Sequence, residues 1–152
     1  MKTTKELELS NVKIGYRNFS GNEGPYNQEG ERSFSIFLDE DTAREAFDDG
    51  WNVKWPKPNP NIKEEEDRRL PYLSVSVRFD KIPPKVVLIV GDKITRLDEE
   101  GVNTLDYAEI DNVDVIVTPS HWSVNGKTGI KAYLRSIYVT LTEDRFTEKY
   151  GI

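Results

Sequence analysis

The stretch GKTGIKAYLRSIYVTL, Gly126 to Leu141, decides the reading of the fold. It is entered through Asn125-Gly126, a dipeptide that favours the two-residue turn of a β-hairpin. Successive side chains of a strand point to opposite faces, so Lys131, Tyr133 and Arg135 share one side. Ile137, Val139 and Leu141 continue the same parity with apolar side chains. Either the strand passes from an exposed face into the core, or a bulge shifts its phase.

The same period of two runs through the rest of the chain. Leu7 and Leu9 keep one phase while Val12, Ile14 and Tyr16 keep the other, and the slip at Ser10-Asn11 predicts a bulge in a long, bending strand. Phe34, Ile36 and Leu38 alternate with Ser33, Ser35 and Phe37; Trp51, Val53 and Trp55 alternate with Asn52 and Lys54. Leu73, Val75, Val77 and Phe79 alternate with Ser74, Ser76 and Arg78, the pattern of a half-buried strand. Val86–Val90 and Val113–Val117 are short apolar runs. One helix is expected: Asp39 to Asp41 supplies an N-cap and negative charge for its start, Ala43, Ala46 and Phe47 share a face, and Gly50 ends it. A second helical turn is expected near Thr142–Tyr150. Ser20–Glu31 and Pro56–Pro71 read as long polar loops, the latter with too little apolar area to offset its ordering entropy. Six or seven strands, one helix and long loops predict an all-β fold, a closed Greek-key barrel or small sandwich. Long bulged strands favour the barrel, specifically an OB-like five-stranded barrel with extra strands, in one domain over 1–152.

A chain of 152 residues, 36% hydrophobic and 32% charged, is expected to be soluble. No apolar run approaches the roughly 18 residues of a membrane helix, and MKTTKELELS lacks a signal-peptide core. A cytoplasmic location is the expectation. Without cysteine and with the single histidine His121, thiolate catalysis and multi-His metal sites are excluded, and no cofactor or metal is expected. The carboxylates pick out no catalytic set, and no nucleophile elbow, phosphate-binding loop or dinucleotide fingerprint occurs, so an enzyme is not expected. The net charge of −6 opposes unspecific attraction to DNA. Seven of the carboxylates, however, sit in Asp39–Asp41 and Glu64–Asp67, and the remainder is close to neutral. A local basic groove stays compatible with the total.

Basic and aromatic residues interleave at Lys13-Tyr16-Arg17-Phe19, Arg32-Phe34, Trp51-Lys54-Trp55-Lys57, Arg78-Lys81, His121-Trp122 and Lys131-Tyr133-Arg135-Tyr138. Cations neutralise phosphates and rings stack on bases, so the pattern fits single-stranded nucleic acid. Trp51 and Phe34 are expected in the core. Lys54, Lys57, Arg78, Lys131 and Arg135 are the candidate phosphate contacts; Trp55, Trp122, Tyr133 and Tyr138 are the candidate stacking rings. The alternative is an acidic protein-interaction module, a phage accessory or host-defence inhibitor, on a similar scaffold. A virion sandwich and a metal-dependent nuclease are further readings.

The run GERSFSIFLDEDTAREAFDDGWNVKW, Gly30 to Trp55, resembles a strand, helix and strand of phage-encoded single-stranded DNA-binding proteins. IDNVDVIVTPSHWSVNGKTGIKAYLRSIYVTL, Ile110 to Leu141, resembles their closing part: a strand, an exposed loop and a Gly-Ile-x-x-x-Leu strand. The resemblance implies an OB-fold that binds single-stranded DNA with little sequence preference and protects or organises it in phage replication and recombination. It makes replication or recombination proteins and a homodimer candidate partners. Many single-strand binders end in an acidic tail; TEDRFTEKYGI is mixed in charge, so recruitment through that end is not expected. The acidic block Glu64–Asp67 is instead a candidate competitor of DNA for the groove.

Overall fold

A computed structural model describes residues 5–25, 28–80 and 82–142. The second helical turn expected near Thr142–Tyr150 lies almost wholly outside them. Eight strands form one sheet: β1 (Leu7–Asn18), β2 (Arg32–Phe37), β3 (Val53–Lys54), β4 (Tyr72–Val77), β5 (Lys85–Val90), β6 (Lys93–Leu97), β7 (Ile110–Val124) and β8 (Lys127–Leu141). A helix, α1 (Glu40–Asp48), follows β2, and 3-10 turns occupy Glu64–Glu66 and Val102–Asp106.

The sheet order is β3-β4-β2-β1-β7-β8-β5-β6, and a further parallel pairing of β4 with β8 closes β1, β2, β4, β8 and β7 into a barrel. This is the expected five-stranded OB-like barrel with additions. The addition that the alternation missed is β6, KITRL, an exposed strand whose side chains carry little of the apolar period. With β5 it forms a hairpin attached to the second half of β8. The Trp51–Trp55 pattern yields only the two-residue β3, because Pro56, Pro58 and Pro60 follow it without N–H donors for a ladder.

The interior is filled from the inward parity of these strands: Phe34 and Ile36 of β2, Leu73, Val75 and Val77 of β4, Val113, Val115 and Val117 of β7, Ile137 and Val139 of β8. Phe34 stacks on Phe19 with ring centroids 5.1 Å apart. Trp51 is also buried, as expected. Helix α1 begins where the sequence places it, with Asp39 accepting from the Thr42 amide at 2.7 Å, and buries Ala43 and Ala46.

Bulges set the curvature. The slip at Asn11 is real: the β1–β7 register shifts between Leu9 and Val12, and Asn11 adopts a φ of 56° while its N–H donates to Asp114 at 3.0 Å. A second shift, between Gly15 and Asn18, was not legible; Tyr16 has a φ of 47° and turns outward, leaving the inward phase of Val12 and Ile14. In β8, Ser136 pairs with Ile116 and Leu134 with Val117, so Arg135 stands unpaired between them. That bulge resolves the parity conflict of the Lys131–Leu141 stretch. Ser136 and Ile137 are both buried, and β8 exchanges its neighbour β4 for β5 across the shift.

Candidate nucleic-acid interface

The outer face of the barrel is assembled row by row from the strand registers. Ser76 of β4 lies beside Tyr133 of β8 and Ser33 of β2; Ser74 pairs with Ser35, which pairs with Gly15 of β1. The next row is Lys54, Tyr72, Phe37 and Lys13. Ser33, Ser74 and Ser76 thus form a floor of small side chains between larger ones, a shallow trough on the solvent side of the sheet, while Ser35 on the same parity is buried. The alternate serines of RSFSIF and YLSVSV are the sequence signal for it, since period two puts each set on one face.

The hairpin of β7 and β8 forms the wall beyond β8. From Ser120 to Val124 and from Lys127 to Thr128 the side chains are exposed, so the hairpin extends past the core as an arm. Its turn has positive φ at Asn125 and Gly126, 52° and 79°, as the Asn-Gly signal requires. Trp122 pairs with Gly129, and its indole lies flat over that glycine: a Cβ there would stand 2.5 Å from Trp122 Cζ2. Trp122 lines one depression with Asn52, Ser74, Ser76 and Lys131, so the ring overlooks the serine floor. His121, opposite Ile130, falls on the other face of the arm.

Tyr133 and Lys131 share the face predicted for them, with the Lys131 ammonium 5.4 Å from the Tyr133 ring centroid. Arg78 lines the same depression as Tyr133 and Lys131. Its guanidinium grips Asp80 through two bonds of 3.0 and 2.6 Å; that carboxylate first, and the Tyr133 hydroxyl second, favour its charged form. Arg135, thrown outward by the bulge, meets Glu6 at 2.5 Å, and Thr118 donates to the same carboxylate at 3.1 Å. The Arg135 hydrogen bond holds the Glu6 carboxyl below the ordinary carboxylate range. Lys54 stands beside Tyr72 at the far end of the trough.

Three of the nine candidates are placed otherwise. Trp55 is half-buried against α1: its indole N–H donates to both oxygens of Glu40 at 3.2 Å, the Phe47 ring meets it edge-on at 5.4 Å, and Arg44 covers it at 5.1 Å. Tyr138 lies beyond the bulge, between Asp114 and Val87 and under Lys85 at 5.5 Å, away from the serine floor. Lys57 is exposed in the loop after β3, where its carbonyl accepts from Arg69 at 2.8 Å. Two residues of the first basic–aromatic cluster are structural: Arg17 donates to the carbonyls of Leu105 and Ala108, both at 2.8 Å, and Phe19 is in the core.

Residues 1–152 match the family model described as "Putative phage ssDNA-binding domain". The chain belongs to this family. No curated relative matches the chain. Among solved structures, the C-terminally truncated single-stranded DNA-binding protein of bacteriophage Enc34 superposes with a TM-score of 0.61 at 14% identity, over 93% of this chain and 88% of that one. The Enc34 protein in complex with single-stranded DNA gives 0.57 at 16% identity, over 95% and 90%. A further structure of the Enc34 single-stranded DNA-binding protein gives 0.56 at 16%, over 99% and 92%. At such identities the likeness shows a shared fold, and the family membership rests on the match over the whole sequence.

Proposed function

We propose that the protein coats or protects single-stranded DNA during phage DNA replication or recombination, in the host cytoplasm, binding the strand without chemically altering it. The family assignment supports the ligand, and the Enc34 relative, whose structure is known with single-stranded DNA bound, supports the fold's capacity for it. The observation that carries the site is Tyr133 set beside Ser76 and capped by Lys131, with Trp122 overlooking the same floor. In this reading Trp122 and Tyr133 stack on bases, while Lys54, Arg78, Lys131 and Arg135 meet phosphates.

Small floor residues matter because a base must approach the sheet closely enough to lie flat on a ring. Stacking on an aromatic ring contributes roughly 1–3 kcal/mol per base without selecting among bases. Arg78 and Arg135 are already paired with Asp80 and Glu6. Phosphates therefore replace exposed carboxylate partners, which are weakly held in water.

The test is a titration of a fluorescent oligo-dT at two salt concentrations, with and without magnesium. Saturation is expected, with a log–log salt slope of about −0.7 per phosphate contacted, and the oligonucleotide stays intact. Tyr133→Ala is expected to weaken binding by about 5- to 150-fold while the protein remains folded. No binding by the parent protein at low salt overturns the reading in favour of a protein-interaction module. Cleavage with magnesium overturns the non-catalytic part.

A further inference from the structure

Tyr16 combines two features that a merely structural residue has no reason to combine. It is a non-glycine residue at a φ of 47°, in the left-handed region that side chains disfavour. The residue is also 74% exposed. Bulges re-aim side chains, and strained backbone concentrates where a side chain is being presented for use. The β1–β2 register shift between Gly15 and Asn18 does this here, turning Tyr16 off the inward phase and over the outer face.

There it meets two more rings. Tyr16 lies 6.0 Å from Phe37 and 5.9 Å from Tyr72, centroid to centroid, each at 55°. Phe37 is itself seated on bare backbone, because a Cβ on Gly15 would stand 2.6 Å from its Cε2. The tilt means the rings do not stack face to face on one another, and the outward ring of Tyr16 stays open to a flat partner. Cations lie near them, Arg69 among these being paired with Asp67. Lys13 and Lys54 flank Phe37 and Tyr72 in the same row, and Lys57, Arg68 and Arg69 line the adjoining depression. The row lies on the same outer face as Tyr133, joined to it by Ser74 and Ser76 along β4. Four residues of β4 separate the two ends, about 13 Å at roughly 3.3 Å per residue.

We propose that Tyr16, with Phe37 and Tyr72, is a second base-stacking station, and that one DNA strand runs from the Trp122–Tyr133 end across the serine floor to it. This rests on the single-strand reading of the trough and extends its path. An extended strand suits the spacing and the alternation of rings with cations. Lys13, Lys54 and Arg68 then meet the phosphates of the far nucleotides.

The full chain is titrated with oligo-dT of about 16 nucleotides, the upper end of site sizes for one such barrel. Tyr16→Asn removes the ring and keeps a residue that tolerates the left-handed backbone; Tyr16→Phe keeps the ring. Tyr16→Asn is expected to bind about 5- to 150-fold more weakly, and Tyr16→Phe as the parent does. Normal binding by Tyr16→Asn alongside weakened binding by Tyr133→Ala overturns the second station and leaves the first. Normal binding by both overturns the trough altogether. Ultraviolet crosslinking of the unmutated protein to the same oligonucleotide, mapped by mass spectrometry, gives an answer that does not depend on any variant folding. Adducts on peptides containing Tyr16 or Tyr72 support the proposal, and adducts confined to Trp122 and Tyr133 overturn it.

Discussion

At the scale of single residues, the ion pair between Arg135 and Glu6 ties an exposed cation of the outer face to a carboxylate. The Arg135 hydrogen bond lowers the Glu6 carboxyl, and the same contact raises the guanidinium. Because Glu6 has a folded-state pKa below its unfolded one, its contribution is complete above the ordinary carboxylate range and disappears as pH falls through the lowered value. Protonation, or Glu6→Gln, frees Arg135. That variant is expected to bind oligo-dT more tightly at low salt with little change in melting temperature; unchanged affinity would remove Arg135 from the phosphate contacts. Asp67 behaves alike with a different partner. Arg69 holds its carboxyl down to about 2 and also ties back to the Lys57 carbonyl. The Asp67–Arg69 pair is therefore intact above about pH 4 and lost as pH falls through about 2, which an NMR titration of the Asp67 carboxyl would trace. Period two was enough to put Lys131 and Tyr133 on one face. It was not enough for Trp55, whose ring is claimed by Glu40, Phe47 and Arg44 of a neighbouring helix.

At the scale of elements, the bulges and the β7–β8 arm decide which side chains reach the trough. The Asn-Gly turn and the Ser10-Asn11 slip were legible because each leaves a local mark, a turn dipeptide or a break in alternation. The Gly15–Asn18 shift leaves none, since an outward Tyr looks like any strand tyrosine until its register is known. The arm offers a direct test. Gly129 leaves just the room that the Trp122 indole fills, so Gly129→Val must push the ring away. Tryptophan emission is expected to change and DNA affinity to fall, while the barrel melts as before because the arm projects past the core. Unaltered emission would mean that the indole does not rest there. Helix α1, by contrast, was readable to its cap, because a short helix is governed by neighbours in sequence: Asp39 bonds Thr42 three residues on.

At the scale of the whole molecule, closure by the parallel β4–β8 pairing turns five curved strands into one surface that gathers distant side chains. Phe34, 1% exposed and stacked on Phe19, sits under that surface. Phe34→Ala is expected to cost about 3–5 kcal/mol in stability, the usual loss for a buried phenylalanine, measured by denaturant unfolding. A much smaller loss would mean that the interior rearranges around the gap. The sequence by itself determined the β class, the helix and its cap, the hairpin turn, the burial of Phe34 and Trp51, and the shared face of Lys131 and Tyr133. All of these follow from alternation or from contacts a few residues apart. Only the tertiary structure decided that Ser33, Ser74 and Ser76 form one floor, that Tyr16 stands over Phe37 and Tyr72, and that Trp55 and Tyr138 lie elsewhere. Those facts depend on register between strands far apart in the chain, and a single-residue bulge moves every side chain after it to the opposite face.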